Sequence, residues 1–140
     1  MTQIDFYFNA QNKLEVIRKL VVKASQAGRN VLLYTRDSTR LQRVDQYLWM
    51  AQTLNFIPHV PCRHPLADKT PVLIGDDPGA LSHLDILINL DADVPECFAR
   101  FDRMLEVVGE DTADRDVSRQ RFRYYKERGF NLISHDLKAA

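Results

Sequence analysis

An α/β fold is predicted for this chain: one domain in which a mostly parallel sheet carries helices on both faces. Three observations predict it. Short runs rich in β-branched and aromatic residues alternate along the sequence with segments of helical periodicity. Several of those runs, "NVLLYT" at 30–35 among them, are apolar almost throughout, as strands buried on both faces of a parallel sheet must be. Finally, 140 residues with 45% hydrophobic content suffice for one sizeable core, so residues 1–140 are expected to form a single domain.

The first strand is expected at "IDFYF", 4–8. The helix after it opens with capping-box spacing at Asn12 and Glu15. It keeps Leu14, Ile17, Leu20, Val21 and Ala24 at helical intervals and stops at Gly28, which suits a left-handed exit. The run at 30–35 then completes a β-α-β unit. Asp37 or Ser38 can cap a second helix reaching about Ala51, with Leu41, Val44, Tyr47, Leu48 and Ala51 on one face. "FIPHVPCRHPLADKTP", 56–71, holds four of the six prolines and is expected to be a long connection. Two apolar strands follow at "PVLIG", 71–75, and "DILINL", 85–90. The spacing predicts a helix over Glu96 to Val108 and another over Thr112 to Arg128, ended by Gly129 before a last strand, "FNLIS" at 130–134.

Composition bounds the function. Lysine and arginine number 19 against 19 acidic residues, so no uniform cationic shell is available for non-specific DNA binding and any basic site must be local. Cys62 and Cys97 are far apart and outside any metal or disulfide spacing, which fits a cytoplasmic protein with reduced thiols. "MTQIDFYFNA" lacks the features of a secretory signal, and no apolar run approaches the roughly 18 residues of a membrane span, so no membrane association is expected.

Catalytic motifs find little support. The chain has neither a G-x-G-x-x-G nor a G-x-x-x-x-G-K-[ST] segment, so a nucleotide phosphate lacks its usual backbone cradle. Asp76 and Asp77 after one strand and Asp91 and Asp93 after another suggest the sharpest enzyme reading, a Mg²⁺-dependent phosphotransfer site at neighbouring strand ends. Their setting beside Pro78, Gly79 and an expected helix start favours ordinary turn and cap carboxylates. His59, His64, His83 and His135 show no ligand spacing. No catalytic residue, metal or cofactor is expected.

Two surface features point to protein partners instead. "SRQRFRYYKERGF", 118–130, packs four arginines and a lysine among aromatic side chains. At 100° per residue, Arg115, Arg119, Arg123 and Lys126 fall within an arc of about 80°, with Phe122 about 20° beyond one edge and Val117, Tyr124 and Tyr125 elsewhere on the circumference. A solvated face, part-neutralised by Asp114, Asp116 or Glu127, is the plain alternative. Arginine forks beside a phenylalanine suit an acidic peptide better than DNA, which four charges would hold only weakly and with steep salt dependence. On the second helix Trp49 lies well over 100° from the centre of the apolar stripe, off the core, where it can cover a loop or anchor a partner. Phe56 follows in a proline-bracketed segment and can extend that patch.

Taken in order, "FYF" at 6–8, "VDQYLW" at 44–49 with "NFIPH" at 55–59, "DILINL", and "RFRYYKERGFNL" at 121–132 resemble the chi subunit family of bacterial DNA polymerase III over nearly the whole chain. The resemblance implies a Rossmann-like fold without a phosphate-binding loop and a non-catalytic role as a replisome adaptor. It implies two partners: the acidic C-terminal tail of single-stranded DNA-binding protein, and the psi subunit of the clamp loader, with a DNA helicase as competitor for the psi surface. DNA would be reached only indirectly. The family's tail-binding positions fall on Arg115, Arg119, Phe122 and Arg123, the group the helical wheel selects together with Lys126. Phe122 replaces an expected tyrosine, while Arg115 and Arg123 replace expected lysines. The psi-binding positions fall on Trp49 and Phe56. Phosphotransfer through the strand-end aspartates and weak direct binding of single-stranded DNA are the rival readings.

Overall fold

The computed structural model of the chain describes residues 1–50, 58–79, 81 and 83–138. The elements run β1 (Gln3–Ala10), α1 (Lys13–Gln26), β2 (Val31–Tyr34), α2 (Ser38–Met50), β3 (His59–Pro61), β4 (Val72–Gly75), β5 (Ile86–Asn89), β6 (Arg103–Gly109), α3 (Thr112–Glu127) and β7 (Asn131–Asp136). Short 3-10 turns stand at Ala67–Lys69 and Phe98–Arg100. The strands form one seven-stranded sheet in the order β3-β4-β2-β5-β6-β1-β7. Every neighbouring pair is parallel. The α/β class is therefore as the sequence predicts.

Strand periodicity divides the core in two, because successive side chains point to opposite faces. Val31, Leu33, Val72, Ile74, Ile86, Ile88, Leu105 and Val107 face α1 and α2, whose Ile17, Val21, Ala24, Val44 and Leu48 complete that layer. Ile4, Phe6, Leu32, Tyr34, Leu73, Leu87, Met104 and Val108 face the other way and meet Phe98, Phe101 and α3 through Tyr125 and Phe122. Helix ends follow their chemistry. Asn12 caps α1 by accepting from the Glu15 N–H at 3.2 Å, and Asp37 Oδ1 accepts from the Thr39 N–H at 2.9 Å at the start of α2. Gly28 and Gly129, each just past a helix, have φ of 71° and 80°, the left-handed region where a side chain would strain the backbone.

Two expectations are corrected. The segment expected to be a helix from Glu96 to Val108 is a 3-10 turn followed by β6, which lies between β5 and β1 and is buried along six of its seven residues. The proline-rich connection contains β3, a three-residue edge strand ending at Pro61, and an edge strand is one of the few places in a sheet where proline is tolerated.

Candidate functional site

In folds of this kind ligands sit beyond the carboxyl ends of the strands, where the connections change face. Here β1 leads into α1 on one face and β6 leads into α3 on the other, so the crevice lies between the ends of β1 and β6. Groups of the chain itself pair there. Asp114 of α3 accepts the Gly109 N–H at 2.7 Å and holds Lys13 Nζ at 3.1 Å. Burial pushes the Asp114 carboxyl up, but the Gly109 N–H and the Lys13 charge outweigh it and leave the group below its ordinary value.

The strand-end aspartates of the enzyme reading are not brought together. Asp76 and Asp77 follow β4, Asp91 and Asp93 follow β5, and β2 runs between those strands, which corrects the expectation of neighbouring ends. Asp91 is committed to the backbone and to cations: it accepts from Thr35 Oγ1 at 2.6 Å and the Arg36 N–H at 2.8 Å, and pairs with Arg40 at 3.1 Å. Asp77 caps the Gly79 N–H at 2.9 Å. Among the described residues, no group of three or more His, Cys, Asp or Glu side chains is placed to share a metal ion.

Helix α3 divides its cations into two kinds. Arg121 points into the protein, 6% exposed, with Nε 3.1 Å from Glu106 Oε2 and an Nη1–H donated to the Ala92 carbonyl at 2.9 Å. Glu106, fully buried, also accepts from Tyr125 Oη at 2.7 Å and from the Asn89 amide at 3.1 Å. Burial pushes the Glu106 carboxyl up against the pull of the Arg121 charge and these donors, and burial beside Glu106 pushes the Tyr125 phenol up as well. Arg115, Arg119, Arg123 and Lys126 stay on the exposed surface. Arg119 meets Asp116 one turn back at 3.3 Å, an open pair worth little. Among the described residues, Arg115, Arg123 and Lys126 have no side-chain ion pair or hydrogen bond, and Asp114 is turned away to Lys13.

A pocket of about 250 Å³ opens beside this ridge. Its walls are Arg115, Ser118, Arg119 and Phe122 of α3, Phe6 and Phe8 of β1, Val108 of β6 and Ser134 of β7. The half-buried Phe122 ring meets Phe6 edge to face at 5.2 Å. Three of the five expected ridge residues therefore share one cavity with an aromatic floor and two guanidinium groups at its wall, while Arg123 and Lys126 extend the cationic line along the helix. Phe6, Phe8, Val108 and Ser134 were not singled out from sequence. The alternation of "FYF" places Phe6 and Phe8 on one face of β1, and that was the signal available.

The second surface lies on α2. Trp49 is 50% exposed, next to Met50 at 83%, and its ring centroid is 4.7 Å from that of buried His59 at the start of β3. His59 Nε2 is 3.4 Å from Asp45 Oδ1. Phe56 lies outside the described residues. No helix among the described residues is long and apolar enough to cross a membrane.

Comparison with known proteins finds relatives along the whole chain. Residues 1–133 match the family model described as DNA polymerase III chi subunit, HolC. The chain is 33% identical over 141 residues to the DNA polymerase III subunit chi of Pseudomonas aeruginosa, covering 98% of both chains. It is 24% identical to the subunits of the same name from Haemophilus influenzae, over 88% of this chain and 86% of that one, and from Escherichia coli, over 84% and 81%. A whole-chain match of this extent leaves one conclusion: the chain belongs to the DNA polymerase III chi subunit family, accessory subunits of the replicative polymerase.

Proposed function

We propose that the protein is a non-catalytic adaptor of the replisome, a single-domain cytoplasmic chain that joins two proteins and contacts DNA only through them. The ridge of Arg115, Arg119, Arg123 and Lys126, with Phe122, takes the acidic C-terminal tail of single-stranded DNA-binding protein. The Trp49 surface, extended by Phe56, takes the psi subunit of the clamp loader, and a DNA helicase competes for it. The observation that carries the tail reading is the pocket that joins Arg115 and Arg119 to the Phe6, Phe8 and Phe122 rings. A peptide terminus has both characters this cavity offers to meet: a carboxylate for a guanidinium fork and an apolar side chain for an aromatic floor. Unpaired cations further along α3 suit the acidic residues upstream.

The test is calorimetric titration with a synthetic peptide of acidic residues followed by Ile-Pro-Phe with a free carboxylate, beside its amidated form. Binding is expected to weaken sharply on amidation. Arg115→Glu or Arg123→Glu is expected to cost about 2 kcal/mol, roughly thirtyfold, since a charge-assisted contact becomes a repulsion. Equal affinity of the charge-reversed and parent proteins would remove the ridge from the site.

A further inference from the structure

The two edges of the sheet are unlike. At one, β3 has three residues and ends in proline, a short and blunted edge. At the other, β7 has six residues, Asn131 to Asp136, with no proline, lysine or arginine, and pairs with β1 residue for residue from Gln3↔Asn131 to Phe8↔Asp136. Its second backbone edge faces outward, and Asn131, Ile133, Ser134 and Asp136 are exposed.

The Arg115 and Arg119 end of the cationic ridge looks toward this edge. Arg121 reaches Ala92 and Glu106, toward the middle of the sheet, so the opposite flank of α3 faces β1 and β7. That flank carries Phe122, Arg115 and Arg119, which meet Ser134 of β7 in the pocket wall. Because α3 leaves β6 and returns to β7, it runs antiparallel to the strands. Arg115 lies toward their carboxyl ends and Lys126 toward their amino ends. The ridge from Arg115 to Lys126 spans about 16 Å of helix, the length of about five residues of extended chain, and β7 offers six.

We propose that the acidic peptide is held as an added strand, parallel to β7 on its outer edge, with its terminal carboxylate at Arg115 and Arg119. Main-chain hydrogen bonds to β7 supply sequence-independent affinity, and alternate side chains meet the ridge. The intervening ones fall on the face of Ile133 and of His135, which is fixed there by Asp5 at 2.8 Å and stacked on Tyr7 at 4.4 Å. This inference rests on the tail reading and adds the mode of binding to it.

A backbone N-methyl scan of the same peptide tests it without altering the protein, read together with amide hydrogen exchange. N-methylation is expected to cost tenfold or more at every second acidic position and less than twofold between them, and amides of Asn131–Asp136 are expected to exchange at least tenfold more slowly in the complex. Tight binding with no alternating pattern and unchanged exchange in β7 would overturn strand addition and leave the ridge assignment standing. Absence of binding at low salt would overturn both. A concentration-dependent dimer whose β7 amides are protected before peptide is added would overturn the inference in favour of pairing between two copies of the chain.

Discussion

Arg121 is the residue on which the position of α3 depends. Its fork spans the Glu106 carboxylate and the Ala92 carbonyl, so one side chain ties the helix both to β6 and to the loop after β5. Removing it leaves a buried carboxylate without its cation, and Arg121→Ala is expected to cost about 3–5 kcal/mol, read as a lower urea midpoint. Arg121→Lys is expected to cost about 1–2 kcal/mol, because an ammonium is a point charge and cannot span both acceptors. Equal midpoints for the lysine variant and the parent would show that the fork geometry is idle. The helical wheel places Arg121 within about 60° of Ser118 and Tyr125, two buried neighbours, and an arginine in that arc was a legible sign of an internal partner. Its partner was not legible, since Glu106 sat in a segment expected to be a helix. The exposed ridge was legible because four cations at helical spacing need no knowledge of the rest of the fold.

At the scale of elements, β6 shows why periodicity misleads. Phe98, Phe101, Met104, Leu105 and Val108 recur at helical intervals, yet β6 lies between two strands and is buried on both faces, so its pattern carries no alternation to reveal it. Val107 and Val108 before Gly109 were the contrary signal, β-branched residues ending at a glycine. The junction of α1 and α2 was equally hidden. Glu15, expected only as part of a capping box, receives Arg18 in a fork and accepts the Tyr47 hydroxyl of α2. Those bonds bring the Glu15 carboxyl down to about 2 from an ordinary 4.5. With the folded value below the unfolded one, the stability it contributes is fully present above pH 4.5 and is lost as pH falls through about 2. The Glu15 side chain is 31% exposed, so solvent screening leaves about 1 kcal/mol, or roughly 3 °C in Tm. Glu15→Gln is therefore expected to melt lower than the parent at pH 7, with the gap closing by pH 2. A gap that persisted undiminished at pH 2 would assign the loss to packing instead of charge.

The whole molecule separates its two candidate surfaces as far as the sheet allows. Trp49 sits by His59 at the β3 edge, on the face covered by α1 and α2, whereas the cationic ridge lies on α3 at the β7 edge, on the opposite face. Six inter-strand gaps of about 4.8 Å put those edges about 29 Å apart, and the sheet itself stands between them. The intervening structure is a parallel sheet with both faces packed, a medium that has one arrangement and gives distant sites little to exchange. Net charge adds no long-range link, because the 19 acidic residues balance the 19 basic ones and screening limits the ridge's field to about 8 Å at physiological salt. On the proposed adaptor reading, a protein built this way is expected to act as a rigid spacer, with a partner at each edge and neither binding conditional on the other. Trp49→Ala is therefore expected to leave the affinity for the acidic peptide within twofold of the parent. In the Trp49→Ala, Arg115→Glu double variant the two costs are expected to add within about 0.5 kcal/mol for peptide binding. A coupling of 1.5 kcal/mol or more in that cycle would mean that α2 and α3 communicate through the sheet, and the spacer model would give way to an allosteric one.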